Sequence, residues 1–276
     1  MELKIASIQD WPSLLAFYKK IYRINHPLQN KQFWEWQYGD PNYGRALICV
    51  SDNGDIVGHV GASFGGGLAW IINVYLTEEY RGKGILGKLY QLAREFYPLA
   101  ATAANEAGLG LYRNMRWIRY HNLIRYVKIN PNCKNILEDV CSSKKINIRN
   151  LGQKDNHYFN QPFIKGFEFI DNTTAIDQST VGGVRIIDLN ENLLFEEDAW
   201  EIGYNWMDYV TSWNDLKCKK LEENGWILDS KTCVPWHLNP IEKGRYCEVS
   251  FLSEKPLPND FIVHRSYSDH GRIGSI

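Results

Sequence analysis

The chain has 276 residues, enough for one large or two ordinary domains, and 44% of them are hydrophobic, so a sizeable core can be buried. The formal net charge of −1 argues against a broad basic surface for nucleic acid, so any phosphate site must be local. No apolar run approaches membrane-spanning length, the start of the sequence lacks the hydrophobic region of a secretory leader, and the six cysteines show no metal-binding spacing. We therefore expect a cytoplasmic protein with free thiols, no metal site and no membrane or nucleic-acid partner.

The first predicted elements are a strand at residues 3–6 and a helix that follows Asp10. Asp10 can cap this helix, Pro12 suits its first turn, and Pro27 breaks it. A second short helix carries a group of large aromatic side chains: Phe33, Trp34 and Trp36. This group either packs in the core, which we favour, or forms one wall of an acceptor pocket.

A meander of three strands comes next. Residues 45–50 and 56–64 are predicted to pair across a turn at Asn53–Gly54, because Asn-Gly tolerates the positive φ of a tight hairpin. The third strand, residues 68–76, is an apolar run that follows three glycines.

The chain is organised around residues 81–88, Arg-Gly-Lys-Gly-Ile-Leu-Gly-Lys. Residues 85–97 have apolar side chains at helical spacing, so the pattern predicts a strand, a glycine-rich turn and a helix N-terminus. Unpaired N–H groups and the positive end of the helix dipole then point at one spot, which suits a phosphate. Arg81 and Lys83 add positive charge, and the glycines allow close approach to the backbone.

Three phosphate-binding motifs compete for this stretch. The dinucleotide fingerprint and the P-loop both need a strand that runs directly into the first glycine, but polar residues 77–81 intervene. The P-loop also needs Ser or Thr after its Lys, where this chain has Leu89, although Glu106 does lie about where a ribose-binding acid belongs. Arg81-x-x-Gly84 before a helix resembles the acyl-coenzyme A loop of the GNAT acetyltransferases. A plain glycine-rich surface turn is the remaining alternative.

The elements after this helix extend the resemblance. Residues 99–104 form a strand of small residues, residues 105–117 a short helix with a turn, and residues 117–128 strands that we expect to close the first unit. Asn105 and Tyr112, seven residues apart, resemble the Asn…Tyr pair that GNAT enzymes place beside the cofactor.

Residues 1–128 therefore resemble a GNAT-family acyl-coenzyme A transferase in loop motif, pair spacing and element order. The resemblance implies an α/β (α+β) fold with a mixed, mostly antiparallel central sheet flanked by helices. Two positions depart from the family pattern. Leu86 stands where the family has Gly or Ala, and Arg116 stands where it often has Gly.

The rest of the chain predicts a linker at residues 129–150 and a second, GNAT-like α/β unit at residues 151–276. This unit contains no Arg-x-x-Gly-x-Gly loop, so we expect that it does not bind the cofactor. The turn at Gly225–Trp226 resembles the end of the Asn…Tyr region and suggests a weak internal repeat. The whole chain is similar to two-part GNAT proteins encoded with bacterial surface-polysaccharide genes, on residues that include Tyr209–Val210, Val234–Trp236 and Pro240.

The resemblance makes Tyr112 the candidate acid for the leaving thiolate. It supplies no base, because the strand at residues 68–76 contains no acid; His59 on the preceding strand is one candidate, although a hydrogen-bonded core histidine is the more common situation. The polar residues Asp269, His270 and Arg272 either close over an acceptor or belong to a frayed tail. The residues implied to hold the cofactor are Val74, Leu76, Arg81, Gly82, Lys83, Gly84, Leu86, Gly87 and Asn105.

The function implied is an acetyl-coenzyme A-dependent N-acetyltransferase that acts on a small amine, specifically an amino sugar or a nucleotide-linked amino sugar. Tandem GNAT-like folds also resemble aminoacyl transferases that use charged tRNA, but the near-neutral charge argues against this alternative. A non-catalytic module that senses acyl-coenzyme A is a third hypothesis, motivated by Leu86 and by the lack of an obvious base.

Overall fold

The computed structural model describes residues 1–133, 157, 167–169, 175–177, 183–189, 195–202, 205–229, 249–264 and 267–268. Within these ranges the strands are β1 (Glu2–Ile5), β2 (Gly44–Val50), β3 (Ile56–Gly65), β4 (Leu68–Leu76), β5 (Leu99–Ala103), β6 (Ile118–Asn122), β7 (Ile124–Ile129), β8 (Phe167–Phe169), β9 (Ala175–Asp177), β10 (Gly183–Asp188), β11 (Trp206–Thr211), β12 (Ile227–Leu228) and β13 (Ser250–Ser253). The helices are α1 (Trp11–Ile21), α2 (Lys31–Trp34), α3 (Ile85–Arg94), α4 (Glu106–Asn114), α5 (Phe195–Ile202) and α6 (Lys217–Glu223). No helix in the described residues is long and apolar enough to cross a membrane.

The first sheet has the strand order β1-β2-β3-β4-β5-β13-β6. All neighbouring strands in it are antiparallel except β4 and β5, which are parallel. This mixed, mostly antiparallel sheet flanked by helices confirms the predicted fold class.

Helices cover both faces of the first sheet. On one face, α3 and α4 pack on a buried cluster that includes Leu89, Tyr90 and Ala101. On the other face, α1 and α2 pack on a second cluster, which contains Phe33, Trp34 and Trp36. These three aromatic side chains are buried, so the favoured core interpretation of the aromatic group is confirmed.

The starts of the first two helices differ in how they are capped. Asp10 precedes α1, but its side chain makes no capping hydrogen bond to that helix. Its carboxylate instead accepts hydrogen bonds from the Ser7 backbone N–H at 2.8 Å and from Lys4 Nζ at 2.6 Å. Asn30 caps α2 through a hydrogen bond from the Gln32 backbone N–H at 2.9 Å.

The second sheet has the order β12-β7-β11-β10-β9-β8, with β10 and β11 parallel. Strand β7 belongs to the N-terminal half of the chain but lies between β11 and β12 of the C-terminal half. Conversely, β13 from the C-terminal half lies between β5 and β6 of the first sheet. The two halves therefore exchange one strand each.

The prediction that residues 117–128 close the first unit is wrong for β7. Strand β6 does border the first sheet, but β7 pairs with β11 over its whole length, from Ile129 opposite Trp206 to Ile124 opposite Thr211. The physical reason is that both candidate partners offer a free antiparallel edge, and local sequence does not distinguish them. The boundaries at residues 128 and 150 stay a prediction, and residues 134–150 lie outside the described residues.

Buried contacts join the exchanged strand β7 to its partner β11, and join the two halves of the chain. Arg125 on β7 donates through Nε to Asp208 Oδ2 on β11 at 2.9 Å, and both side chains are fully buried. A separate apolar cluster joins side chains of the two halves, among them Trp70, Leu123, Val210 and Phe251. The chain thus packs its halves against each other through a shared core.

Candidate active site

Strands β4 and β5 separate soon after they begin to pair. Their parallel pairing covers Ala69 opposite Leu99 and Trp70 opposite Ala100, and no further pair follows toward the carboxyl ends of the strands. The backbone of the later part of β4 thus faces an opening instead of a neighbouring strand. Backbone N–H groups at such an opening are available to a ligand.

The glycine-rich loop lies at the wider end of this opening. Gly82 and Gly84 both have φ of 73°, a left-handed conformation that favours glycine. Gly84 is the N-cap of α3, and no side chain caps the helix. The first-turn N–H groups of α3 therefore have no side-chain acceptor. The structure contains the predicted succession of a strand, a glycine-rich turn and a helix N-terminus.

Two cationic side chains belong to the loop. Arg81 donates through Nε to the Leu76 carbonyl at 3.0 Å, and its guanidinium lies 3.5 Å from the Glu78 carboxylate. The Lys83 ammonium lies 5.2 Å from the centre of the Tyr80 ring. Both side chains are exposed, so each can turn toward an anion at the helix N-terminus.

The opening forms a cleft of about 720 Å³ between β4, β5, α3 and α4, which we call the β4–β5 cleft. It is lined by eight of the predicted site residues: Val74, Leu76, Arg81, Gly82, Gly84, Leu86, Asn105 and Tyr112. Lys83, Gly87 and His59 are not part of its lining. The roles of all eleven residues stay predictions, but the fold brings most of them to one place.

Tyr112 and Asn105 enter the cleft from α4. Tyr112 is 5% exposed, and its ring stacks on Trp117 with the centroids 4.6 Å apart. Asn105 is the N-cap of α4, and its side-chain oxygen accepts a hydrogen bond from the Gly108 N–H at 2.8 Å. Each side chain therefore has a packing or capping role and also faces the cleft.

His59 lies behind β4 rather than in the cleft. It is fully buried, and its Nδ1 lies 2.8 Å from the Asn73 carbonyl oxygen. Burial lowers the pKa of His59 to about 4, so the imidazole is neutral at physiological pH. In this position the ring contacts Tyr18 and Tyr38, with centroids 5.3 and 5.7 Å away.

The cleft also contains polar residues that the sequence reasoning did not identify, notably Asn73 and Thr102. A signal for Asn73 was present, because a single Asn interrupts an apolar strand and Asn adopts the left-handed conformation more readily than most residues. Asn73 does adopt it, with φ of 50°. Thr102 had no comparable signal, since Thr is common in strands.

The corresponding strands of the C-terminal half do not separate in the same way. Strands β10 and β11 pair in parallel at four successive positions, from Gly183 opposite Trp206 to Ile186 opposite Tyr209. The predicted tail residues Asp269, His270 and Arg272 lie outside the described residues.

The β4–β5 cleft fits the coenzyme group that the resemblance implies. A Cβ on Gly82, Gly84 or Gly87 would meet nothing within 4 Å, so a pyrophosphate could approach the backbone here without a steric barrier. Arg81 lies on the same loop, and the strand segment from Asn73 to Leu76 runs along the cleft where an extended, amide-bearing arm could hydrogen-bond.

Comparisons with known proteins give a family match for part of the chain. Residues 11–115 match the profile of the Acetyltransferase (GNAT) family. No curated protein matches the chain.

Several solved structures are similar to the chain. A ribosomal-protein-alanine N-acetyltransferase from Brucella melitensis is 24% identical over 45% of this chain and 88% of its own, with a TM-score of 0.35. An acetyltransferase of the GNAT family from Streptococcus pneumoniae is 15% identical over 49% and 91%, with a TM-score of 0.36. The aminoglycoside 6'-N-acetyltransferase AAC(6')-IG from Acinetobacter haemolyticus is 16% identical over 42% and 88%, with a TM-score of 0.33. At these identities and TM-scores the likeness does not extend to substrate or mechanism.

Enzymes of the matched family take their acyl group from acyl-coenzyme A. The matched segment contains the strand separation, the uncapped N-terminus of α3 and the Asn105–Tyr112 pair. The segment that matches this family, residues 11–115, is less than half of the chain, so the match describes this segment and not the whole protein.

Proposed function

We propose that the protein is an acetyl-coenzyme A-dependent N-acetyltransferase whose acceptor is a small amine. The observation that carries this proposal is the separation of β4 from β5 beside the uncapped N-terminus of α3. The separated part of β4 offers strand N–H groups, and the start of α3 offers helix N–H groups together with the positive end of the helix dipole. A thioester carrier with a pyrophosphate needs both, at two points of one elongated site.

The residues of the cleft have separate roles in the proposed reaction. When bound, acetyl-coenzyme A supplies an acetyl group that is activated as a thioester. The loop from Arg81 to Gly87 binds the pyrophosphate, and N–H groups near Val74 and Leu76 stabilise the negative charge that develops on the carbonyl oxygen. Tyr112 donates a proton to the leaving thiolate, while Asn105 fixes the start of α4.

The acceptor that we propose is an amino sugar or a nucleotide-linked amino sugar. The polar residues Thr102 and Asn105 line the cleft, and such residues suit a ligand that carries several hydroxyls. The resemblance to proteins encoded with surface-polysaccharide genes favours the same class and a role in polysaccharide biosynthesis. We also propose a cytoplasmic location, which suits the free thiols of Cys49 and Cys218.

The proposal is tested by mixing the protein with acetyl-coenzyme A and a panel of amino sugars, free and nucleotide-linked, and following the release of free thiol. We expect release with at least one amino sugar and no comparable release with simple alkyl amines. Calorimetric titration with coenzyme A in parallel measures binding alone. Tight binding without thiol release for any amine would instead support the acyl-coenzyme A sensor.

A further inference from the structure

Strand β4 contains a β-bulge where it lines the cleft. The register between β3 and β4 shifts between His59 and Gly61, so that a single residue of β3 opposes both Asn73 and Val74 of β4. Asn73 has φ of 50°, a left-handed conformation that is unfavourable for a residue with a Cβ. Surrounding groups must therefore hold Asn73 in place.

Two side chains bind Asn73 from the side away from the cleft. The His59 Nδ1 lies 2.8 Å from the Asn73 carbonyl oxygen, and the Asn73 side-chain Nδ2 donates to the Tyr38 hydroxyl at 3.1 Å. Gly61 makes room for that hydroxyl, because a Cβ at this position would clash with it. The carbonyl and the side chain of Asn73 are thus both fixed.

The protonation state of His59 follows from its surroundings. A carbonyl oxygen can only accept a hydrogen bond, so Nδ1 carries the proton, and Nε2 is buried without a hydrogen-bond partner. The rings packed around the imidazole are those of Tyr18 and Tyr38, and no acid or base is among its ring contacts in the described residues.

We propose that His59 is a positioning residue rather than the catalytic base: its Nδ1–H, together with the Tyr38 hydroxyl, holds Asn73 left-handed so that the bulge presents the backbone of Val74 to the cleft. This inference rests on the proposed acetyltransferase function for its catalytic consequence. The role of His59 in holding the conformation of Asn73 does not depend on that function.

The expected consequence follows from how a bulge acts. It re-aims the backbone by shifting one residue out of register, and the segment from Asn73 to Leu76 lines the cleft. Displacement of an N–H donor by about 1 Å can reduce turnover roughly a hundredfold. The pyrophosphate loop begins several residues later, and its residues are not among the hydrogen-bond or ring contacts of His59, so this loop should keep its conformation.

Two substitutions separate the positioning role from the role of a base. His59→Asn places an amide N–H near the position of Nδ1 but cannot act as a base at neutral pH, whereas His59→Phe fills the site without any donor. Under the proposal, His59→Asn retains kcat within about threefold, while His59→Phe lowers kcat roughly tenfold to a hundredfold. If His59 is the base, both variants lose turnover and the acidic limb of the pH–rate profile disappears, which would overturn the proposal.

A second measurement needs no cofactor. Amide hydrogen exchange of residues 72–76 in the free protein should accelerate at least tenfold in His59→Phe and in Tyr38→Phe, but not in His59→Asn. Spectra of ¹⁵N-labelled histidine should show the Nδ1–H tautomer for His59 from pH 5.5 to pH 8.5. Unchanged exchange in His59→Phe, or an Nε2–H tautomer, contradicts the proposal. If the wild type has no turnover, the acetyltransferase function fails while the exchange experiment still decides the role of His59.

Discussion

Tyr112 is both a core residue and a residue of the cleft. It is almost completely buried against Trp117, yet it lines the same β4–β5 cleft as the glycine-rich loop. A tyrosine in this position can stabilise the fold through its ring and carry out proton transfer through its hydroxyl. The two contributions can be separated by removing the hydroxyl alone.

Tyr112→Phe should lower kcat about a hundredfold, because general-acid catalysis typically contributes a factor of about 10² to 10⁴. The stacked ring remains, so the melting temperature and the dissociation constant for coenzyme A should change little. The matched control is Tyr97→Phe, since Tyr97 is 41% exposed and is not part of the cleft lining. Unchanged turnover in Tyr112→Phe would remove Tyr112 as the acid.

His59 should make the stability of the protein depend on pH. Its pKa is about 4 in the folded protein, lowered by burial, against about 6.5 in the unfolded chain. Between these values the unfolded chain binds a proton that the folded protein does not, so stability falls as the pH is lowered through this window. From pH 7 to pH 5 the loss should be about 2 kcal/mol.

Urea unfolding of the wild type and of His59→Asn at pH 7 and pH 5 measures this contribution. Over the same pH interval, the variant should lose about 2 kcal/mol less free energy of unfolding than the wild type. The reason is that the carboxylates and His26 contribute equally to the pH dependence of both proteins. An identical pH dependence in the two proteins would show that the pKa of His59 is not lowered.

At the scale of single elements, the two halves of the chain use the same turn with different residues. Arg116 follows α4 with φ of 60°, and Gly225 follows α6 with φ of 79°. Both turns end a helix and precede a buried tryptophan, Trp117 and Trp226. Arg116, which stands where the family often has Gly, therefore still adopts the left-handed conformation. This conformation costs energy in a residue that has a Cβ.

Arg116→Gly should stabilise the protein by about 0.5 to 1 kcal/mol, because glycine adopts this conformation without strain while losing more entropy on folding. Arg113→Gly is the matched control. It lies in α4 at an equally exposed position, and there glycine should destabilise by about 1 kcal/mol. Opposite signs for the two variants in urea unfolding support the interpretation, and destabilisation by Arg116→Gly would contradict it.

At the scale of the whole molecule, the strand exchange makes the β4–β5 cleft depend on the C-terminal half. Strand β13 pairs with β5, which forms one wall of the cleft, and Leu252 of β13 belongs to the same core cluster as Tyr112. His157 of the C-terminal half also stacks between Trp36 and Tyr43, with centroids 4.9 and 3.8 Å away. Cofactor binding and folding of the two halves should therefore be inseparable.

A chain that ends at residue 248 should lose coenzyme A binding, although it keeps every residue of the cleft lining. Without β13, the edge of β5 is unpaired and the core beneath the cleft is open. A chain that ends at residue 268 retains β13 and should bind coenzyme A normally in calorimetric titration. Binding by the shorter chain would show that the first sheet folds without the exchanged strand.

Local features explain why part of this protein could be predicted from its sequence. The loop at residues 81–88 was recognisable because left-handed glycines, an uncapped helix start and a preceding strand are all encoded within a few neighbouring residues. The same holds for the apolar faces of the helices. Tyr112 was singled out by the resemblance to the family's Asn…Tyr pair, and its role stays a prediction, although the fold does place it in the cleft lining.

Only the tertiary structure decided the destinations of β7 and β13 and the environment of His59. Strand partners lie far apart in sequence, and an antiparallel edge accepts any strand of suitable pattern, so the exchange has no local signature. The pKa of His59 likewise depends on burial by residues from α1, from the turn at Glu35–Gly39 that follows α2, and from β4. The sequence alone therefore determined the local features, which are the glycine-rich loop and the helices. Strand pairing and the burial of His59 depended on contacts between distant segments.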